Sequence, residues 1–180
     1  MMRKLLALLL VAVMAVTLIF PVAALAVDPT VGITVSAKLI AITNDKATWA
    51  IGAVEINNVK YFSADNAQND VWSTITNTGN VTVDVQIQGT NIEGGVYDWT
   101  LAATPGDQIY SLYANKAATP TVYDVQVKTS AYVNITAAAG LVAAGTNAWS
   151  MKFTAPTAFN AADAGAQKNA TVTLVASQHY

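Results

Sequence analysis

The stretch "VWSTITNTGNVTVDVQIQGTN", residues 71–91, decides what kind of fold this chain can adopt. In its second half, apolar residues occupy every second position from Val81 to Ile87, and polar residues fill the positions between them. This period of two is typical of a strand with one buried face and one solvated face. Asn77, Gly79 and Asn80 tolerate the positive φ angles that a tight turn requires. The stretch therefore predicts two strands that fold as a hairpin around residues 77–80.

The same alternation recurs along the rest of the chain. Further strands are expected at 33–35 continuing over 38–43, and at 49–56, 97–102, 108–113, 123–128, 133–135, 149–154 and 172–176. Gly52 is expected to mark a bulge, residues 158–166 a single helical turn, and residues 137–145 a crossover loop. Short strands separated by turn residues predict an all-β fold, a single antiparallel β-sandwich of the Ig-like or jelly-roll kind.

The N-terminal residues predict export. Arg3 and Lys4 precede an apolar run over residues 5–20, and Ala24-Leu25-Ala26 fits the small-x-small cleavage pattern. These features are typical of a secretory signal peptide, here residues 1–26, which leaves a sandwich domain over 27–180. The alternative is a retained membrane anchor, but this run of 16 residues falls short of the roughly 20 that span a bilayer. We expect a secreted or cell-surface protein that has no membrane contact after cleavage.

Charge and cysteine content narrow the class of protein. After residue 26 the chain carries seven lysines and eleven acidic residues, a net charge of −4. Such a balance lacks the basic patch that nucleic-acid binding needs. The chain has no cysteine, so the apolar core and the sheet hydrogen bonds must hold the fold together.

No constellation of catalytic residues stands out. Zinc sites and Ser/His/Asp catalysis both need histidine in a defined arrangement, and His179, which is the only histidine, is expected to be a solvated tail residue. A glycosidase pair among Glu55, Glu93 and Asp98 is conceivable, but nothing in their spacing selects it. We therefore expect no catalytic residue, no cofactor and no enzyme activity.

A polar loop offers the one metal candidate. Asp65 and Asp70 lie within "SADNAQND", where clustered oxygen ligands could bind calcium. The stretch lacks the alternating ligands and the closing glutamate of an EF-hand, so the ordinary interpretation is a polar turn without a metal.

Aromatic and asparagine residues suggest two kinds of carbohydrate contact. Trp72 or Trp99, if exposed, could stack on the apolar face of a sugar, whereas Trp149 alternates with Met151 and Phe153 and is expected in the core. Three Asn-x-Thr sequons are candidate glycosylation acceptors in an exported protein. Their asparagines are Asn80, Asn134 and Asn169.

Two longer segments carry a family resemblance. "FSADNAQNDVWSTITNTGNVTVDVQI", and "LVAAGTNAWSMKFTAPTAF" followed by "QKNATVTLVASQ", resemble the corresponding segments of the camelysin/TasA family of secreted fibre-forming proteins, and more broadly those of Ig-like surface domains. The resemblance spans about residues 62–178. It implies a jelly-roll-like sandwich and a role in extracellular matrix or filaments. The proteolysis implied by the name camelysin is not carried over, because matching metal ligands are absent from the chain.

The strands themselves point to self-association. Sheet edges are normally guarded by charge or proline, yet strands 71–76 and 81–88 hold a single charged side chain, Asp84. The segment containing Val31, Ile33 and Val35 lies next to the predicted new N-terminus and is the expected assembly strand, able to add to the sheet of a neighbour. The sequence thus predicts a non-catalytic structural subunit of a filament or matrix. The alternative is an adhesive module that binds cell-surface glycans.

Overall fold

The computed structural model describes residues 34–62 and 72–180. This part of the chain contains two β-sheets and one short 3-10 helix. The strands are β1 (Ile42–Asn44), β2 (Val59–Phe62), β3 (Ser73–Asn77), β4 (Val83–Gly89), β5 (Thr100–Leu101), β6 (Ile109–Asn115), β7 (Val125–Gln126), β8 (Val133–Asn134), β9 (Thr146–Thr154) and β10 (Val172–Gln178). Residues Ala37–Tyr180 form one compact unit. The predicted signal peptide lies outside the described residues.

The larger sheet has seven strands and the smaller has three. The larger follows the order β1-β3-β9-β6-β5, with β2 also paired to β9 and β7 also paired to β6, and the smaller follows β10-β4-β8. Of the eight strand pairs formed by the described residues, only β5–β6 is parallel, joining Thr100 to Ile109. The other seven are antiparallel. The expected all-β sandwich is confirmed.

The core lies between the two sheets and follows the predicted alternation. Val83, Val85 and Ile87 of β4 are fully buried, and the polar residues between them are only partly buried. On the facing sheet, Trp149 and Phe153 of β9 are 3 % and 2 % exposed. The expectation that Trp149 shares a buried face with its alternating neighbours is confirmed.

The opening stretch forms the two predicted strands, but the predicted hairpin is wrong. β3 pairs with β1 and β9 in the larger sheet, whereas β4 pairs with β10 and β8 in the smaller one. The turn at residues 77–80 therefore carries the chain from one sheet to the other. Both strands still bury alternate side chains, because each faces the same core from its own side.

A third segment takes the hydrogen bonds of this turn. The N–H groups of Thr78 and Gly79 donate to Ala41 O at 3.0 and 3.2 Å, and Asn80 N donates to Leu39 O at 3.0 Å. A Cβ at Gly79 would lie 2.2 Å from Leu39 O, so only glycine permits this approach. The turn is thus shaped by the chain that leads into β1 and does not join β3 to β4 in one ladder.

Two other predicted strands are corrected. Residues 49–56 form no strand, and Gly52 has a φ of 75° within irregular backbone and marks no bulge. The side chain of Trp49 nevertheless packs against the core. The early strand is confined to β1, and Val35 is in no strand and 85 % exposed. The expected helical turn is present as the 3-10 helix Ala161–Asp163, and residues 137–145 form the expected loop.

Candidate assembly edge

β10 is the edge strand of the smaller sheet. Its seven residues pair antiparallel with β4, from Val172 opposite Gly89 to Gln178 opposite Val83. On its other side, no strand among the described residues pairs with it. An edge strand presents a row of main-chain groups that have no partner within its sheet. β10 is therefore a candidate site for pairing with another strand.

The hydrogen bonds at the two ends of β10 show which groups are open. Thr90 N donates to Thr171 O, and His179 N donates to Thr82 O, each at 3.0 Å. In an antiparallel pair, only alternate residues exchange hydrogen bonds with the facing strand. Odd-numbered residues of β10 therefore bond to β4, and the even-numbered ones point their main-chain groups outward. Four N–H and four C=O groups are thus left open within the described structure. They belong to Val172, Leu174, Ala176 and Gln178.

The side chains of β10 offer no protection to this edge. The strand reads "VTLVASQ" and carries no charge, no proline and no bulge. Leu174 and Ala176 lie on the core side but are only partly buried, whereas Thr173 and Ser177 are exposed on the outer face. Natural sheets usually guard such edges with lysine, proline or a covering segment. An open, uncharged edge of this length is typical of a strand that accepts another strand.

Opposite charges flank the two ends of the β10 edge. Lys38 Nζ lies 3.4 Å from Gln178 Oε1 at the C-terminal end of the strand. Beyond the N-terminal end, Glu93 and Asn169 exchange two main-chain hydrogen bonds of 2.8 Å, and the Glu93 side chain is exposed. β10 itself is therefore uncharged, and the exposed charges near its two ends are Lys38 at the C-terminal end and Glu93 beyond the N-terminal end, with the partly buried Asp84 carboxylate beside Lys38's end.

The expectation for His179 is wrong. This residue is partly buried, and its Nδ1 lies 3.0 Å from Asp84 Oδ1, so it is no solvated tail residue. Thr136 Oγ1 lies 3.4 Å from the same carboxylate oxygen and donates to Asn134 Oδ1 at 2.7 Å. A nucleophilic hydroxyl would have to face the imidazole, but here hydroxyl and imidazole both contact the Asp84 carboxylate. The cluster fastens the end of β10 to β4.

An ion pair that sequence inspection missed fixes the loop between β4 and β5. Lys168 Nζ lies 3.2 Å from Asp163 Oδ2, with side chains that are 8 % and 0 % exposed. The ammonium group also donates to Gly94 O at 2.6 Å and to Tyr97 O. These three acceptors match the three donors of an ammonium group. The signal in the sequence was a lone acid in the small-residue stretch "NAADAGAQK", with a lysine five residues later.

The surroundings of Asp163 favour its charged form. Burial of the Asp163 carboxyl raises its pKa, but the N–H groups of Val96 and Tyr97 and the ammonium of Lys168 outweigh burial and hold the pKa below the ordinary value of 3.8. Asp163 Oδ1 accepts from Val96 N at 2.7 Å and from Tyr97 N at 3.3 Å. Hydrogen bonds to an ionised carboxylate and a nearby cation both stabilise the charged state.

We expect Asp163→Asn to lower stability at neutral pH and to flatten the acid dependence of stability. Because the folded pKa lies below the unfolded one, the contribution of this carboxylate is fully present above about pH 4 and is lost as the pH falls through the folded pKa. The melting temperatures of wild type and variant should therefore converge as the pH is lowered from neutral to below the ordinary carboxyl value of 3.8. Thermal melts between these conditions test this, and a gap that stays constant would contradict it. The pKa of Asp45 is also lowered, chiefly by its hydrogen bond from Ser73, so the stability of both proteins should keep some dependence on acid pH.

The two tryptophans proposed for glycan stacking lie in different environments. Trp99 is 6 % exposed, its ring stacks on Phe159 at 5.6 Å between centroids, and Lys168 Nζ lies 5.3 Å from its centroid. The idea of an exposed Trp99 ring is therefore wrong, since core side chains already cover it. Trp72 is 37 % exposed and precedes β3.

The three sequon asparagines lie at exposed positions. Asn80 Nδ2 donates to Ala37 O at 2.8 Å, and its Oδ1 accepts from Leu39 N at 2.7 Å. A glycan on Asn80 would therefore compete with the hydrogen bonds that hold the segment around Ala37 and Leu39. Asn134 Oδ1 accepts from its own sequon threonine. Asn169 lines a shallow depression. The remaining residues of that depression are Thr90, Glu93, Gly94, Ala170 and Thr171.

Other candidate residues give no site in the described structure. The calcium candidates Asp65 and Asp70 lie outside the described residues, as do Val31 and Ile33 of the predicted assembly strand. Within residues 34–62 and 72–180, no three His, Cys, Asp or Glu side chains are grouped to hold a metal ion. The carboxylates considered for a glycosidase pair are all exposed. They are Glu55, Glu93 and Asp98.

Comparison of the chain with protein-family models, curated proteins and solved structures finds no match in any of the three. Within residues 34–62 and 72–180, no helix is long and apolar enough to cross a membrane.

Proposed function

We propose that this chain is a non-catalytic structural or surface protein, exported from the cell, whose copies assemble through β-strand edges into a filament or matrix. The observation that supports the proposal is the β10 edge, where eight main-chain groups over seven uncharged residues have no partner among residues 34–62 and 72–180. The signal-like N-terminus and the resemblance to secreted fibre-forming proteins of the camelysin/TasA family point in the same direction.

The edge supplies what strand addition requires. Main-chain hydrogen bonds provide affinity, and alternate side chains provide selectivity. Partly buried Leu174 and Ala176 would lose water contact when a further strand covers them. Because β10 carries no charge, an incoming neutral strand meets no electrostatic barrier along the strand.

The expected assembly strand at residues 31–35 stays a prediction. Val35 is the one member of its three apolar residues that is described, and it is exposed outside any strand. A donor strand would be available in that condition, since its main chain is not committed to a ladder. Removing residues 27–36 is therefore an informative deletion beside any change to β10.

We expect Ala176→Pro to reduce self-association of the purified protein at least about tenfold while leaving it folded. The Ala176 N–H points away from β4, so proline removes a donor that the intramolecular ladder does not use. Ala176→Ser, which keeps the N–H, is the matched control and should assemble like wild type. Concentration-dependent light scattering and negative-stain microscopy measure assembly, and circular dichroism checks the fold.

Two results would count against the proposal. Equal assembly of the proline variant and its serine control would remove β10 from the mechanism. A wild-type protein that stays monomeric at all concentrations and binds an oligosaccharide array would favour the adhesive alternative, in which Trp72 is the exposed ring.

A further inference from the structure

We propose that the strand accepted by the β10 edge is β10 of a second copy, paired antiparallel about a two-fold axis at Val175. This inference rests on the proposed function, because it names the partner of the same edge. A two-fold contact closes after two copies. The resulting dimer is the unit from which larger assemblies are built through other edges.

The register of the open groups is self-complementary. Antiparallel hydrogen-bonded pairs form when residues whose main-chain groups point at each other lie opposite. With Val175 on the axis, Leu174 lies opposite Ala176 of the partner subunit, and Val172 lies opposite Gln178 of the partner subunit. All four outward-pointing residues of each copy then meet outward-pointing residues. The pair makes eight hydrogen bonds and leaves none of the open groups on β10 unpaired.

The side chains suit this register. Leu174 and Ala176 both lie on the core side of the sheet, so the large side chain of one copy faces the small side chain of the other. No charged residue within Val172–Gln178 is brought opposite another. The smaller sheets of the two copies would join in the order β8-β4-β10, followed by the same strands of the partner in reverse.

The exposed charges near the two ends, Lys38 and Glu93, favour the antiparallel arrangement over the parallel one, since Asp84 and His179 at the Gln178 end are partly buried and contact each other. The Lys38 side chain lies at the Gln178 end of β10, and Glu93 lies beyond the Val172 end. Antiparallel pairing brings the lysine-bearing end of each copy to the glutamate-bearing end of the other. Parallel pairing in register would bring Lys38 to Lys38 and Glu93 to Glu93, which is unfavourable.

Cysteine cross-linking tests the register directly, since the native chain has no cysteine. In the proposed pair, Val175 faces Val175 of the partner subunit at a non-hydrogen-bonded position, where Cα atoms lie about 4.5 Å apart and a disulfide can form. We expect Val175→Cys to give a disulfide-linked dimer as the main species under mild oxidation. Thr173→Cys, on the same outer face, is the matched control and should stay monomeric, because its own copy lies about 13 Å away along the strands.

The positive control is a mixture of two proteins, one carrying Thr173→Cys and the other carrying Ser177→Cys. These two proteins should form a mixed disulfide, because the two positions face each other across the proposed axis. The Val175→Cys dimer should also form in a variant lacking residues 27–36, whose fold is checked by circular dichroism. Both results would support pairing between two copies of β10.

The remaining outcomes overturn the inference in distinguishable ways. Cross-linking of Thr173→Cys as efficient as that of Val175→Cys would show parallel stacking. Loss of the dimer on deletion of residues 27–36 would show that the N-terminal segment, and not the β10 edge alone, joins the two copies. Assembly without any β10 cross-link would refute this inference and leave the proposed function standing, whereas neither assembly nor cross-link would refute both.

Discussion

Replacing Trp149 with alanine is expected to lower the free energy of unfolding by about 3–5 kcal/mol, as large-to-small changes of buried aromatic residues do. The indole is 3 % exposed and packs against Phe62, with ring centroids 5.7 Å apart. Its Nε1 donates to Asn44 Oδ1 at 3.0 Å, which ties β9 to β1 across β3. The substitution would leave a cavity between the sheets. It would also remove the hydrogen bond to Asn44 at the margin of the larger sheet.

Chemical denaturation measures this effect, and Trp149→Phe separates its two parts. Phenylalanine keeps most of the apolar volume but removes the Nε1 donor, so its cost should be about 1–2 kcal/mol. Trp72→Ala is the exposure control, because Trp72 is 37 % exposed, and should change stability by less than about 1 kcal/mol. Equal losses at both tryptophans would show that burial of Trp149 contributes little.

Asn77→Ala is expected to lower the free energy of unfolding by about 2–4 kcal/mol, because it removes three hydrogen bonds made by a fully buried side chain. Asn77 is fully buried. Its Nδ2 donates to Val81 O at 2.8 Å and to Leu141 O at 2.9 Å, and its Oδ1 accepts from Gly79 N at 2.9 Å. One side chain thereby holds the turn between the sheets and fastens it to the loop before β9.

Asn80→Ala is the matched control within the same turn. Asn80 also makes two hydrogen bonds to main-chain groups, with Ala37 and Leu39, but it is exposed and water can replace them. Its loss should cost about 0.5–1 kcal/mol. Both variants are compared with wild type by urea denaturation, and a cost at Asn80 as large as that at Asn77 would show that burial is not what makes Asn77 important.

Local patterns in the sequence predicted individual strands well where one face is buried. Val83, Val85 and Ile87 alternate with polar residues and are fully buried, and the alternating residues Trp149, Met151 and Phe153 of β9 are also buried. The pattern misled at residues 49–56, where apolar residues pack on the core from irregular backbone and add to no ladder. Apolar periodicity reports which side chains are buried, and burial does not require that the main chain be in a sheet.

The candidate assembly edge was only half visible in the sequence. The segment 172–176 was expected to be the closing strand, and β10 is found at Val172–Gln178. Its position at the edge depends on which strands lie beside it, and no property of "VTLVASQ" specifies that. The Asp163–Lys168 ion pair was missed for a similar reason, since its other partners, Gly94 and Tyr97, lie about seventy residues away in the chain.

The sequence by itself determined the class of fold, the residues of the main strands and the buried side of each, because a period of two is a local property of the backbone. Only the tertiary structure decided the pairing. The turn at residues 77–80 carries the signals of a hairpin, yet its N–H groups bond to Ala41 and Leu39, and β3 and β4 enter different sheets. Main-chain hydrogen bonds are the same for every partner, so strand pairing depends on which segments the core brings together.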